Sequence, residues 1–461
     1  MVEFRYRNSA IFFIYVIFSP VFKFRLFEAN RLATPFWYNT ALHLLKPFYR
    51  WRIKRRAESL ELYHQECLER FGPFEDPKNV KAIWFHAVSV GETNAAQPLI
   101  EHYLKLGQPV LVTNTTKTGQ ARAKSLFLKE PYLDLFQAVY LPVDQKPLLK
   151  QFFESYQPRL LALVETELWP NLIDQAKLQH VPCLLLNARL SEKSAKGYSK
   201  VSSLTAGMLK QIDWVLAQDS ATRQRYVELG LDEHKSQVVG NIKFDIHAPE
   251  AFIKQAAQLH QQWYLENRQV VTIASTHAPE EQQILEALAP HLNSNRELVC
   301  IVVPRHPERF DEVFEISQNL NLVTHRRSMG QSIHASTQVY LADSMGELWL
   351  WYALSQVCFV GGSLNEPGGG HNILEPMVLN VPTVVGPRYF NFQTIVDEFI
   401  DENGVLIAQD AQQVVDIWLA CLAEPEATEQ LVTQAHKVLQ RNQGSLQKHI
   451  GVINRYLAEK P

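Results

Sequence analysis

Two consecutive doubly wound α/β domains, each built on a parallel sheet and preceded by a basic, apolar head, are what this sequence predicts. Three observations carry the prediction. Short apolar runs alternate with helical or loop segments after Gly72, a second series of such runs begins beyond a polar break, and 461 residues at 46% hydrophobic content suffice for more than one core. The first series is Ala82 to Phe85, Val110 to Thr113, Ala138 to Leu141, Leu160 to Val164, Cys183 to Leu186, Trp214 to Ala217 and Gln237 to Val239. The second is Val270 to Ala274, Leu298 to Val303, Val339 to Leu341, Val357 to Val360 and Thr383 to Val385. Phe244-Asp-Ile-His-Ala-Pro249 marks the break, so the domains are drawn as 57–245 and 246–461, after a head of residues 1–56. Strands alternating with helices imply parallel sheets with right-handed crossovers. Two such domains in succession predict a cleft faced by the loops at the strand ends. The tail after Gln409 reads as helices only.

The head follows a different logic. Asn8 to Phe22 carry no charge, and Ala10 to Phe18 are nearly all large and apolar, with Arg5 and Arg7 before them and Lys23 and Arg25 after. Fifteen uncharged residues fall short of the roughly 20 that span a hydrocarbon core. A charged start and a short apolar stretch also fit a signal peptide, but no small-residue cleavage site follows. Next come Pro35-Phe-Trp-Tyr, then Leu42, Leu44, Leu45, Phe48, Tyr49 and Trp51 interleaved with Lys46, Arg50, Arg52, Lys54, Arg55 and Arg56. Aromatic rings at headgroup level and basic side chains against anionic lipid suit a membrane interface. The head is therefore expected to hold the protein on the cytoplasmic face of a membrane. A helix docked on the protein's own surface is the competing reading.

Charge supports the contrast. Residues 1–60 hold eleven Lys/Arg against three Glu, a balance of +8, which leaves −11 for the remainder of a chain whose net charge is −3. Nucleic acid is a poor partner for so apolar a basic segment, and none is expected. The five cysteines are scattered, mostly inside apolar runs, with no C-x-x-C pair, which predicts reduced core residues in a cytosolic compartment and no metal site.

Within the first domain, Lys81 to Gly107 reads as strand, tight loop and helix, the helix carrying Ala95, Leu99, Tyr103 and Leu106 at helical spacing. Ligands bind beyond the carboxyl ends of strands in open α/β sheets, which makes Glu92 the first candidate for chemistry. Ser89-x-x-Glu92 equally fits a capping box, and the two roles do not exclude each other. Val164-Glu165-Thr166-Glu167-Leu168-Trp169-Pro170-Asn171 puts two carboxylates at a strand end, suited to acid/base or charge-stabilising work, although Glu167 could simply cap the next helix. Gly240-Asn-Ile-Lys243-Phe-Asp245 ends the last strand, so Lys243 could reach the cleft. Asn114-Thr-Thr-Lys-Thr-Gly119 lacks the P-loop pattern and reads as loop and cap. Neither G-x-G-x-x-G after the first strand nor an Asp-x-Asp pair is present, which disfavours dinucleotide redox and the common metal-bridged donor site.

In the second domain the strongest loop is Cys358-Phe-Val-Gly-Gly-Ser-Leu-Asn-Glu-Pro-Gly-Gly-Gly-His371-Asn-Ile-Leu-Glu-Pro376. An apolar strand ends in glycines, and a helix is expected to begin near Asn372. Glycines let a backbone approach a ligand, and helix N-terminal N–H groups favour an anion such as phosphate. A tight turn plus a cap is the plainer reading, but it requires fewer glycines. Glu375 is placed to accept hydrogen bonds from ribose hydroxyls. Ser275-Thr-His277, Pro304-Arg305-His306-Pro307 and Asp343-Ser-Met-Gly346-Glu347-Leu348 end three further strands. Arg305 suits an anionic ligand, since guanidinium grips phosphate or carboxylate at two points, and it could equally form a surface ion pair.

HAVSVGE, VETELWPN, NARLSEKSAKGY, GNIKFD, ASTH, VPRHPERF, MGEL and GGSLNEPGGGHNILEP, in this order from about Glu69 to Gly444, resemble the lipid A Kdo transferases. Those enzymes move 3-deoxy-D-manno-oct-2-ulosonic acid (Kdo) from CMP-Kdo onto a lipid A precursor (lipid IVA) in lipopolysaccharide core biosynthesis. The resemblance implies the GT-B fold, with two Rossmann-like domains, the first binding acceptor and the second CMP-sugar, and a membrane-associated N-terminus at the cytoplasmic face of the inner membrane. It implies Glu92 as proton acceptor, with Glu165 and Lys243 as transition-state stabilisers. It implies that CMP is held by Pro304, Arg305, Gly346, Glu347, Leu348, Asn372, Ile373, Leu374 and Glu375. No cofactor and no metal are expected. Two departures stand out: the glycine loop is one residue longer than the usual form, and Asn380 stands where glycine is common.

Under that reading the acceptor hydroxyl loses its proton to Glu92 as it attacks the anomeric carbon, and attack opposite CMP predicts inversion. The helix N-terminus is expected to lower the Glu92 pKa, leaving it ionised but a weak base. Fixed cations such as Lys243 and Arg305 are expected to meet the charge growing on the departing phosphate. The alternatives are a GT-B nucleotide-sugar epimerase, which needs no membrane head, and a catalytically silent membrane-bound nucleotide-sugar binding protein, which needs no Glu92, Glu165 and Lys243 together.

Overall fold

The computed structural model of the chain describes residues 34–458 apart from 75, 76 and 79. The uncharged run Asn8 to Phe22 thus lies outside the described residues. The chain divides into two compact units, the first comprising residues up to Asp245 together with those from Asn442 onward, the second Ile246–Arg441.

Unit 1 carries a seven-stranded sheet in the order β3-β2-β1-β4-β5-β6-β7. Its strands are β1 (Ile83–His86), β2 (Val110–Asn114), β3 (Phe136–Tyr140), β4 (Leu160–Val164), β5 (Cys183–Ala188), β6 (Trp214–Ala217) and β7 (Ser236–Val238). Every pairing is parallel, with Ile83 opposite both Val110 and Leu160. Alternate side chains feed two cores. Trp84, Leu111, Leu161, Leu163 and Leu185 pack on one face, while Ile83, Phe85, Val110, Val112, Ala162 and Leu184 pack on the other. Burial on both faces is why the strands read as unbroken apolar runs rather than as an alternation.

Unit 2 repeats the plan with a sheet in the order β10-β11-β9-β8-β12-β13-β14, again parallel throughout. The strands are β8 (Gln269–Thr276), β9 (Leu298–Pro304), β10 (Thr324–Arg326), β11 (Val339–Leu341), β12 (Val357–Val360), β13 (Thr383–Val385) and β14 (Leu406–Ile407). The two edge strands β10 and β14 were not expected. Thr324-His325-Arg326 and the two-residue β14 are only half-buried, so they present no apolar run to detect.

The tail differs from the expectation that placed it in the second domain. Its last helix, Ser445–Ala458, returns to unit 1, where Ile450, Val452 and Ile453 join the core that contains Ile83 and Phe85. Asp245 anchors its start, accepting from the Gly444 N–H (2.7 Å) and from the Leu446 N–H. The helix's apolar stripe finds its partner only through the fold.

Part of the head is described. Helix Phe36–Arg56 buries Tyr38, Leu42 and Ile53 against unit 1. It is tied down where it begins: the Tyr38 hydroxyl donates to Asp144 (2.7 Å), the Thr34 N–H to Asp174 (3.1 Å), and Asn171 to the Asn39 side chain (2.9 Å). Phe36, Trp37, Leu44, Phe48 and Trp51 are left exposed. Among the described residues, no helix is long and apolar enough to cross a membrane.

Candidate active site

In unit 1 the strand order reverses between β1 and β4, so the loops leaving these strands diverge and open a crevice at their carboxyl ends. Glu92 stands there, in the first turn of helix Val90–Lys105 behind the cap Ser89. Its carboxylate accepts from the Val88 N–H (2.5 Å) and the Ser89 hydroxyl (3.1 Å), and its own N–H donates to Ser89 Oγ (3.5 Å). The box-like cap is therefore real, and it fixes the carboxylate at the crevice.

Glu165 is the first residue beyond β4 and adopts a left-handed backbone, φ 61°. A non-glycine residue held there is strained, and such strain is retained where the surroundings over-determine it. Its N–H donates to the Leu186 carbonyl (2.9 Å), and its carboxylate receives Lys243 Nζ at 3.0 Å. Lys243 lies in the turn Ile242–Phe244. Glu167 does not cap the following helix, Pro170–Leu178, whose start has no side-chain cap. It is buried instead and accepts from the Trp169 indole N–H (2.9 Å). Burial pushes the Glu167 carboxyl up to about 8; the Trp169 bond opposes this and the Glu165 charge adds to it.

Glu92 departs from the expectation. Its pKa is raised well above the ordinary carboxylate value, first by burial, then by the charges of Glu167 and Glu165, and the hydrogen bonds from Val88 and Ser89 only partly offset this. Like charges in a poorly solvated crevice outweigh the helix N-terminus. Glu92 is thus a stronger base than the helix position alone implies.

Two supports of this site carried no signal of their own in the sequence. Asn187, left-handed at φ 49° near the end of β5, accepts from the Ile242 N–H (3.1 Å) and so holds the turn that carries Lys243. His449 of the returning helix, fully buried, accepts from the Asn187 N–H (2.9 Å). NARLSEKSAKGY contains Asn187, but nothing in its spacing names this partner.

In unit 2 the corresponding reversal lies between β8 and β12. Pro304 ends β9, and Arg305 follows, exposed, its N–H donating to the Thr276 carbonyl (3.1 Å). Its guanidinium has no ion-pair partner among the described residues. The helix beyond the glycine loop starts at Leu374 rather than near Asn372 and is short, Leu374–Val378. Asn372 bridges to it: its amide donates to Glu375 (3.1 Å) and its carbonyl oxygen accepts from the Leu374 N–H (3.2 Å). Burial raises the Glu375 carboxyl, with Asn372 and the nearby Arg305 charge opposing, which places Arg305 and Glu375 within electrostatic reach. Ile373 and Leu374 are buried.

Gly346 takes φ 84° before Glu347, whose carboxylate is gripped at two points by Arg327 (2.7 and 3.1 Å) and by the Ser344 hydroxyl. Burial would raise this carboxyl, but Arg327 and Ser344 hold it below its ordinary value. The side chain of Glu347 is thus committed within the protein, and only its backbone is open to a ligand. Leu348 starts helix Leu348–Ala353 and is half-buried. Asn380 adopts φ 58°, the left-handed conformation that asparagine tolerates best after glycine, so this departure leaves the turn intact.

The glycine loop is held from below by a residue that sequence reasoning missed. Glu280, fully buried, accepts from the backbone N–H groups of His277 (2.9 Å), Gly362 (2.7 Å), Ser363 (2.9 Å) and Leu364 (2.9 Å). In the sequence it reads only as the start of helix Glu280–Ser294. Among the described residues no cluster of His, Cys, Asp or Glu could hold a metal ion.

Comparison with known proteins places this geometry in a family. A family model described as 3-deoxy-D-manno-octulosonic-acid transferase matches residues 65–246. The 3-deoxy-D-manno-octulosonic acid transferase of Haemophilus influenzae is 34% identical over 428 residues, 92% of this chain and 98% of that one. The Bordetella pertussis enzyme of the same name is 33% identical over 91% of this chain and 99% of its own. A crystal structure of the C-terminal CMP-Kdo binding domain of WaaA from Acinetobacter baumannii is 95% identical, covering 42% of this chain and all of that one, at a TM-score of 0.42. The UDP-GlcNAc 2-epimerase of Neisseria meningitidis, 14% identical over 82% of this chain and all of its own with a TM-score of 0.51, shares the fold alone. With identity of this extent to named relatives, the chain belongs to the 3-deoxy-D-manno-octulosonic acid transferases, glycosyltransferases of the GT-B type.

Proposed function

We propose that this protein transfers Kdo from CMP-Kdo to a lipid A precursor, lipid IVA, with inversion, at the cytoplasmic face of the inner membrane. The observation that carries the chemistry is the acidic group beyond β1 and β4, where burial and then the charges of Glu167 and Glu165 raise the pKa of Glu92. A carboxylate whose pKa is raised holds the acceptor hydroxyl's proton more firmly as the bond to the anomeric carbon forms. Glu165 and Lys243, joined at 3.0 Å, stabilise the charge that develops around that carbon and the departing phosphate. Unit 2 holds the donor: Arg305 grips phosphate, Glu375 and Asn372 meet the ribose, and Pro304, Gly346, Glu347, Leu348, Ile373 and Leu374 line the nucleotide, Glu347 through its backbone. The 95% identity of this part of the chain to a CMP-Kdo binding domain supports that division of labour. The residues supply the needed cations themselves, and the reaction as proposed uses no metal and no cofactor.

The lipid acceptor explains helix Phe36–Arg56. Opposite its buried face it exposes Trp37, Leu44, Phe48 and Trp51 at helical spacing, with the Arg55 guanidinium 5.6 Å from the Trp51 ring. Such a face suits insertion at headgroup depth. Beside it lies a groove lined by Leu42, Leu45, Tyr49, Leu141 and Trp169, with Lys46 and Arg70 among its charged walls. Trp169 also bonds Glu167, so an acyl chain in this groove would bring its sugar head towards the acidic group. The test is incubation with CMP-Kdo and a tetra-acylated lipid A precursor, followed by mass spectrometry of the lipid. Wild-type protein should add Kdo, and Glu92→Ala should bind CMP normally yet transfer at least ~100-fold more slowly. Near-normal turnover in that variant would remove Glu92 as the base.

A further inference from the structure

Two histidines meet at the reversal point of the second sheet. His277 follows β8 directly and His371 ends the glycine loop after β12; their Nε2 atoms are 2.8 Å apart, with ring planes 4° from parallel. A nitrogen–nitrogen contact this short needs one N–H and one lone pair, so the edge between the rings holds a single proton. The contact is built in. Glu280 Oε2 accepts from the backbone N–H groups of both His277 and Gly362, clamping the β8 loop to the β12 loop. Gly362, at φ 69°, lies so close beneath that a Cβ there would stand 2.9 Å from His371 Cδ2. Neither Nδ1 has a hydrogen-bond partner among the described residues.

The groups facing the pair come from three elements. Arg305 and His306 follow β9, the His306 ring lying 5.0 Å from that of His277. Glu280 and Glu281 begin the helix after β8, and Glu375 belongs to the helix after the glycine loop. Glu280 is committed to four backbone N–H groups and Glu281 to Arg309 (2.6 Å). Burial and then the His277, Arg305 and His306 charges bring His371 down to about 4, and burial first also lowers His277. The empty pair is therefore neutral, with one ring donating at Nε2 and the other donating outward at Nδ1. A further proton has one place to go, the outward Nδ1 of the ring that donates across the contact.

We propose that the His277–His371 pair is a proton-holding anion site for the donor phosphate: it takes up one proton at an outward Nδ1 as the phosphate settles beside Arg305, and gives it to the leaving oxygen. This rests on the reading of unit 2 as the CMP-sugar domain. The acceptor oxygen bonds the anomeric carbon and its proton passes to Glu92. The bond from that carbon to the phosphate oxygen breaks, the electron pair stays on the oxygen, and the imidazolium proton moves to it. CMP departs as a monoanion, the pair returns to neutrality, and charge is conserved. A phosphate monoester's second pKa near 6 makes the transfer close to balanced.

Calorimetry on the full chain tests this with the methyl ester of CMP, a phosphodiester like the donor that has no titrating phosphate near neutrality. Binding at pH 6 is measured in buffers of low and high ionisation enthalpy, so that proton uptake appears as a buffer-dependent heat. An opposite charge at close range raises a histidine's pKa by about 1–3, so wild-type protein should take up about half a proton per site. His277→Gln and His371→Gln should each abolish the uptake and weaken binding, while His306→Gln should retain it. Binding with no uptake, uptake that survives in either pair variant, or uptake lost in His306→Gln overturns the pair's role and leaves the CMP-sugar reading standing. Failure of wild-type protein to bind the ester or CMP overturns that reading, and the pair's role with it.

Discussion

Protonating His449 should loosen the turn that carries Lys243. His449 Nδ1–H donates to the Ser445 carbonyl (2.7 Å), which leaves Nε2 as the acceptor for the Asn187 N–H (2.9 Å). A proton on Nε2 would set two hydrogens face to face and free Asn187, whose side chain holds the Ile242 N–H. Burial, with the Lys448 charge adding and the Ser445 bond opposing, keeps the imidazole at about 4 against an ordinary 6.5. Between those values the opened state binds more protons than the closed one, so the stability His449 contributes is complete above pH 6.5 and lost as pH falls towards 4. The full gap is worth about 3 kcal/mol. From pH 7.5 to pH 5 the opening equilibrium should rise ~30-fold, or about 2 kcal/mol. Hydrogen exchange of peptides spanning 183–190 and 240–245, corrected for intrinsic rates, reads this directly. His449→Gln, which has no titrating group, should show a flat response whatever its absolute stability. A parallel acid response in wild type and variant would refute the reasoning.

Two further outcomes follow from the packing. Glu280→Ala strips four backbone N–H groups, two of them buried, of their acceptor and should cost on the order of 4 kcal/mol, seen as a lower urea midpoint for unit 2, whereas Glu280→Gln, which keeps one acceptor oxygen, should lose less; equal midpoints for wild type and Ala would discount the clamp. Replacing Phe48 and Trp51 by Ser removes a half-exposed stacked ring pair, so co-sedimentation with anionic vesicles should fall ~10-fold or more with the protein still folding cooperatively, and undiminished sedimentation would exclude this face as the contact.

The acid group and the donor loops differ in how they are made ready. In unit 1, burial first and neighbouring carboxylate charges second raise Glu92 and Glu167 above the ordinary carboxylate value. In unit 2, a single buried carboxylate shapes the glycine loop while Arg305 is left exposed and without an ion-pair partner among the described residues. One device tunes a proton affinity, and the other prepares a backbone.

The amino-acid order by itself determined the two parallel sheets and their break, because strands buried on both faces must be written as consecutive apolar residues such as Leu160 to Val164. It also determined which loops could hold chemistry, since Glu165 directly follows β4 while Glu92 and Lys243 lie in the first turns after β1 and β7, and none needs a distant partner to be noticed. Only the tertiary structure decided the rest. That Glu92 is pushed up rather than down depends on its burial in the fold and then on carboxylates 73 and 75 positions away in the chain, Glu165 and Glu167. The grip of Arg327 on Glu347, the clamp of Glu280, the meeting of His277 with His371 and the return of the last helix to Asn187 are likewise pairings through space. Solvation, charge and hydrogen bonding are set by neighbours in three dimensions, whereas the periodicity that betrays a strand is written in one.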